Sequence, residues 1–459
     1  MAHDDSVAPA VAAPVVPIPS LERISSVDVL RGCALLGILL LNITAFGLPG
    51  AAFSDPTIAG GATGANLAWW LIGQIVFEGK MRTIFSMLFG AGVVLLTSRA
   101  ERSGGAAGIA DIYYRRTIWL IVFGLLHAYF IWSGDILYGY GVAGLFLFPF
   151  RKRPAAFLIA AGLLVLAVGV PKSILEGRRL DGLRVKARQA DEAASAGKPL
   201  TDEQREAQGD WRETLKEMKP TPAQVQAEID DHRAGYRTLF LRRMDEVSEG
   251  QSRGFYRFGF FDVAGMMLLG MGLLKLGLFS AARPYRVYGS MAALGYAIGV
   301  PINWYIAQRD AAHGFDPAQM FFGWSGYDLG RLSVALGHIG LVMIVCKARL
   351  LRGFTSRLAA VGQMALSNYL LTSLLCTALF EGYGFGLFAR LQRAQLLYVV
   401  VPVWLVQLGA SPIWLRRFRF GPMEWVWRSL THWRLQPMRL AHGRPASAEP
   451  AAAAGATQV

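Results

Sequence analysis

The sixteen residues AAFLIAAGLLVLAVGV, 155–170, carry no charged side chain. Two further blocks, Val263–Leu274 and Leu396–Val406, are equally uncharged. With their flanks, such blocks approach the roughly 20 residues that cross a bilayer's hydrocarbon core. Backbone groups in lipid find no water, so a crossing segment is a helix or a strand of a closed barrel. Barrel strands alternate apolar and polar residues, and these blocks do not. They are helices, and the reading is an all-α polytopic membrane protein.

The rest of the chain agrees. It has 459 residues, 53% hydrophobic and only 17% charged, where soluble proteins carry roughly 25%. The expected crossings are about ten: 28–48, 67–98, 115–134, 136–150, 154–171, 257–279, 285–306, 330–347, 357–380 and 394–415. One of them, 67–98, is too long for a single straight span, and Glu78, Lys80 and Arg82 interrupt its middle.

Charge decides how that element counts. If it crosses once, the segments assigned to the cytoplasm hold 21 Lys/Arg and the short outside loops hold 3. Two crossings would place the arginines of 99–116 outside and break the pattern. Both termini are therefore expected in the cytoplasm of a bacterial inner-membrane protein, with 67–98 one long or broken helix. The net charge of +14 belongs to this bias and not to nucleic-acid binding, for which no aromatic platform or zinc spacing is present.

The expected organisation is a disordered tail 1–22, a five-helix half 23–171, a helical extracytoplasmic insert 172–253, a second five-helix half 254–433 and a disordered tail 434–459. The insert balances 16 basic against 16 acidic residues. The three cysteines, Cys33, Cys346 and Cys376, fit no disulfide or metal spacing, and no metal or haem and flavin site is expected.

Ionisable residues within spans are costly and mark candidate sites. On the first span Asp28, Arg31 and Asn42 fall within roughly 60° of one another on a helix, although Asp28 and Arg31 also suit a plain interfacial pair. Arg116 and His127 are eleven apart on the third crossing, with Asp135 just beyond. Arg331 and His338 share a face of the eighth crossing. Either imidazole can serve as a base near neutral pH or as a packing residue. Glu78, Lys80 and Arg82 stand where Gly79 weakens the helix, either at a ligand site or at an interface. Gln363, Ser367, Asn368, Thr372 and Ser373 form a polar run that reads mainly as interhelical glue. Gly421–Arg428 reads as an interfacial Trp anchor.

The string RISSVDVLRGCALLGILLLN (23–42) resembles the opening of the YeiB-like family of bacterial inner-membrane proteins, defined by domain of unknown function 418. FEGKMRTIFSMLFGAG (77–92), HAYFIWSGDILYGYGVAG (127–144), VGQMALSNYLLTS (361–373) and SPIWLRRFRFGPMEWVWRSLTHW (411–433) are similar as well. That family looks related to the transmembrane acyltransferases, which include the acyltransferase-three and heparan-glucosaminide N-acetyltransferase groups. The acyltransferase-three enzymes carry an Arg, ten residues, then a catalytic His on the first span. Here Asn42 stands where that His would be, and the loop 49–66, where the heparan type keeps its His, has none.

The resemblance implies transfer of an acyl group from a cytoplasmic donor, acetyl-CoA or another acyl-CoA, to an envelope glycan or lipid acceptor. Arg31, Lys80 and Arg82 would then hold the donor, and His127 with Asp135 would supply the base. A small-solute transporter and a non-catalytic scaffold or sensor are the alternatives.

Overall fold

The computed structural model describes residues 25–102 and 108–440; the expected tail 1–22 and the residues from 441 onward lie outside it. Among the described residues the chain is helical, and the only ladder contact is an isolated bridge between Phe418 and Arg439. In chain order the helices are α1 Ser25–Gly47, α2 Gly64–Ile72, α3 Lys80–Arg102, α4 Ile109–Phe130, α5 Leu137–Leu145, α6 Ala155–Ala167, α7 Gly169–Ser195, α8 Asp202–Met218, α9 Pro222–Arg233, α10 Tyr236–Glu249, α11 Phe260–Lys275, α12 Tyr285–Ala312, α13 Pro317–Gly323, α14 Tyr327–Lys347, α15 Arg352–Gln363, α16 Ala365–Phe380, α17 Leu397–Leu415 and α18 Pro422–His432.

Among the described residues five elements are long and apolar enough to cross a membrane: Ser25–Gly47, Gly64–Arg99, Ala155–Ser195, Tyr327–Lys347 and Ala394–Leu415. Two bent pairs raise the number to seven, Tyr236–Arg257 with Phe260–Lys275 and Arg352–Gln363 with Ala365–Phe380. The element at 64–99 is one span interrupted in its middle by a π-helical turn, Gly73–Phe77, and a break at Glu78 and Gly79.

Three expected boundaries are corrected. The segment 136–150 forms only the nine-residue α5, followed by a 3-10 turn at Phe148–Lys152. Nine residues rise about 14 Å, too little to cross alone; Gly139, Gly141 and Gly144 weaken the helix and Pro149 follows it. The segment 357–380 is not straight but turns by 85° between α15 and α16. The insert does not begin afresh at 172, because α6 runs on through α7 as one element of 41 residues. Pro171 stands three residues past Val168, where the two helices join.

The core is built on close helix contacts. A Cβ added at Gly32 of α1 would strike the Leu358 carbonyl of α15, and one at Gly362 would strike the Asp28 carbonyl. Such small-residue contacts let backbones approach and maximise dispersion where lipid supplies no hydrophobic drive. Beyond α7 the insert continues through α8 and α9, each opened by a capping box, Thr201 with Gln204 and Thr221 with Gln224. It returns through α10 and a π-helical stretch, Gly250–Gly259, into α11.

Candidate functional site

Breaking a span frees carbonyls that lipid cannot satisfy, and the residues around the break are arranged to take them. The Glu78 amide donates to Gly73 O at 2.7 Å, Lys80 Nζ to Gln74 O at 2.6 Å and His338 Nε2 to Val76 O at 2.9 Å. Lys80 is fully buried and also donates to Asn303 Oδ1 of α12 at 2.8 Å. His338 Nδ1 meets the Tyr296 hydroxyl at 2.8 Å, so both its ring nitrogens are engaged.

Beside the break lies a charge network. Arg82 donates to Asp262 of α11 at 2.8 Å, and Arg331 of α14 donates to the other Asp262 oxygen and, through Nε, to Asp328 at 2.8 Å. The Tyr327 hydroxyl donates to Glu78 at 2.9 Å. Buried charges are tolerable only when paired in this way. The sequence reading named Arg82 and Arg331 but missed Asp262, Asp328 and Asn303. An acid placed just ahead of the apolar block 263–274 was the available signal for Asp262.

A second polar centre sits at the end of α4. The His127 carbonyl accepts from both Ile131 and Trp132 amides at 2.9 Å, closing the helix, and the chain turns back through 131–136. That turn returns Asp135 to His127, with Oδ2 and Nδ1 2.8 Å apart. The other Asp135 oxygen accepts from the Tyr138 amide at 2.8 Å. The two side chains are 1% and 0% exposed. Tyr369 of α16 places its ring 5.1 Å from the imidazole, and its hydroxyl accepts from the Ile136 amide at 3.3 Å.

His127 Nε2 is buried and has no hydrogen-bond partner among the described residues. Nδ1 is taken by Asp135, so Nε2 is the ring nitrogen left without a partner, a state that native structures rarely leave unexplained. A cavity of about 100 Å³ lies against the turn that carries Asp135, where Asn42, Glu78, Gly79 and Arg82 face Gly134 and Ile136. Asn42, Glu78 and Arg82 are thus brought together.

At the end of the bundle where α1 begins, Arg31 pairs with Asp28 at 2.8 Å and reaches Gly362 O at 3.4 Å. Arg116 lies 3.6 Å above the Trp427 ring, whose Nε1 donates to Arg116 O at 2.8 Å. Arg31, Arg428 and Glu424 are its electrostatic neighbours. Glu424 is more than an interfacial anchor. It accepts from the Leu366 and Ser367 amides at 2.7 and 3.1 Å, a carboxylate cap on the start of α16 that explains the turn after α15. Asn368 stands apart from these groups and ties α16 to α17, donating to Val361 O and Ser411 Oγ and accepting from Gln407 at 3.2, 3.0 and 3.0 Å.

At the opposite end the insert docks on the bundle. His232 meets Glu381 at 3.0 Å and stacks on Phe388 at 3.9 Å; its carbonyl accepts from the Gly382 amide at 2.8 Å. The Gly50 amide donates to Glu228 at 2.9 Å, and the Tyr236 hydroxyl donates to Phe130 O at 2.9 Å. A cavity of about 590 Å³ remains between insert and bundle, and Gly134 lines both it and the smaller one. No local pattern in the sequence announced these contacts, which join residues well over a hundred positions apart.

A family model described as "Protein of unknown function (DUF418)" matches residues 273–434. The chain is also 33% identical over 425 residues to uncharacterized protein YeiB of Escherichia coli strain K12, across 90% of this chain and 97% of that relative. It belongs to the YeiB-like DUF418 family. Uncharacterized protein YxaH of Bacillus subtilis strain 168 is 28% identical over 432 residues, 91% of this chain and 96% of that one. No solved structure matches. In this DUF418 chain the matched stretch holds Arg331, His338, Asn368 and Glu424, whereas Arg31, His127 and Asp135 precede it.

Proposed function

We propose that this chain is an acyltransferase-like enzyme of the bacterial inner membrane. It moves an acyl group from a cytoplasmic donor, acetyl-CoA or another acyl-CoA, to an envelope glycan or lipid acceptor on the outer side. The reading takes about ten crossings in two five-helix halves, the short fourth being α5 together with the 3-10 turn that follows it, with both termini cytoplasmic and 172–253 outside; the 21-to-3 bias of Lys/Arg supports it.

The observation that carries the chemistry is the buried Asp135–His127 pair with Nε2 unengaged. An imidazole oriented through Nδ1 by a carboxylate, with its other nitrogen open, is the arrangement of a general base. His127 Nε2 takes the proton of an acceptor hydroxyl or amine as that atom attacks the acyl carbonyl. The C–S bond of the thioester then breaks, and the departing thiolate receives the proton from the imidazolium. At the cytoplasmic end Arg31 and Arg116 bring guanidinium groups toward the donor's phosphates. Arg116 and His127 are eleven residues apart on α4, about 16 Å at helical rise, a length that the pantetheine arm of coenzyme A spans. Lys80 and Arg82, committed to Asn303 and Asp262, serve the fold in this reading.

The rival reading, transport of a small solute, draws on the broken span beside a polar cavity. The test is a transfer assay in nanodiscs with acetyl-labelled acetyl-CoA and envelope glycan and lipid as acceptors. Label moving into an acceptor, with one free CoA released per acetyl, is expected. A folded protein that neither binds acyl-CoA nor releases CoA sinks the reading and favours transport.

A further inference from the structure

We infer that the 590 Å³ cavity beneath the insert is a binding site for a neutral, hydroxyl-rich ligand, a sugar residue. The inference rests on the proposed reading for what the ligand is for, since the bound sugar would be the acceptor; its binding rests on the geometry.

The volume lies within the roughly 300–1,000 Å³ of small-molecule sites. Its wall is built, not incidental. Arg243 and Glu381 line it while being 4% and 3% exposed. A guanidinium has five N–H donors, yet among the described residues Arg243 makes one hydrogen bond, to Phe130 O at 3.3 Å, and an ion pair stretched to 4.0 Å with Glu381. Glu381 meets His232 through one oxygen, and its other oxygen has only the stretched contact. Donors and acceptors to spare therefore face one space. A hydroxyl group donates and accepts at once, and vicinal hydroxyls match the paired atoms of guanidinium and carboxylate.

Charge argues for a neutral ligand. Lys216, Arg242 and Arg243 are balanced by Glu228, Glu246 and Glu381, with Arg242 held by Glu246 at 2.7 Å and Glu228 at 3.7 Å. A net charge on the ligand would find no net countercharge. Trp132, stacked on Phe46 at 4.0 Å, adds an aromatic wall against which the apolar face of a sugar ring packs. Gly134, next to Asp135 in the chain, lines both cavities, so a ligand seated here lies against the turn that carries Asp135.

The experiment is saturation-transfer NMR on the full chain in nanodiscs. The probes are glucose, N-acetylglucosamine and maltose, against glucosamine and glucuronate as charged comparators, with a glycolipid in the disc as a separate arm. Ala227→Trp fills the cavity from an exposed position of α9 without removing a charge. Neutral saccharide, free or as the glycolipid headgroup, should bind the natural protein. Ala227→Trp should weaken it at least tenfold. No saccharide bound in either arm, equal binding to Ala227→Trp, or tighter binding of a charged comparator overturns the inference. Acyl transfer without saccharide binding overturns it while the transferase reading stands; saccharide binding without transfer leaves it standing and counts against that reading alone.

Discussion

Two polar centres are buried in the helical bundle, and each contains a histidine. Around His338 the valences are spent: Val76 O and Tyr296 take both ring nitrogens, Asn303 and Gln74 O hold Lys80, and Asp262 joins Arg82 to Arg331. Around His127 one valence is left over, at Nε2. Both centres are rich in groups that cost free energy to bury. The difference between them is the surplus. Fully paired polar groups repair a broken helix, whereas a buried ring nitrogen without a partner has no such structural account.

If the first centre is structural, breaking it should cost stability before anything else. Asp262→Ala leaves Arg82 without its carboxylate and Arg331 with Asp328 alone. A loss of about 3 kcal/mol is expected, since buried Arg331 keeps only one of its two carboxylates and half-buried Arg82 loses its own, read as little monodisperse protein on size exclusion. A well-folded Asp262→Ala protein with an unchanged melting temperature would mean that the network does not hold the halves together.

A smaller loss is expected at the break itself. Gly79 has φ +70°, and a Cβ there would collide with the Tyr327 hydroxyl. Gly79→Ala should cost about 2 kcal/mol from backbone strain and displacement of Tyr327, measured by thermal unfolding in detergent. Smaller again is His338→Phe, which strands Val76 O inside the bundle at about 1–2 kcal/mol. If His338→Phe instead removed activity from protein that stays folded, the contrast between the two histidines would fail.

Much of this was legible in the sequence, for identifiable reasons. Uncharged blocks such as 155–170 announce membrane helices without any knowledge of their neighbours, and EGKMR at 78–82 announced the interruption of the second span. The turn between α15 and α16 was not legible, because residues 358–380 hold neither proline nor charge to mark a break and the cause is Glu424, on another helix. Asp135 was suspected for its position beyond α4, but its meeting with His127 depends on the backbone turn 131–136, which no helical periodicity encodes. The pairings of His232 and Arg243 with Glu381 depend on how the insert folds back, so nothing local to 172–253 pointed to them.

The most direct test sets the two histidines against each other in the transfer assay, comparing His127→Ala with His338→Ala at equal amounts of folded protein. The account predicts a fall in kcat of roughly 100-fold or more for His127→Ala, the effect of a lost general base, with little change in melting temperature. His338→Ala should melt earlier and yet turn over at nearly the natural rate below its transition. Full activity in His127→Ala, or an equal fall in both variants, would contradict the assignment of His127 as the base.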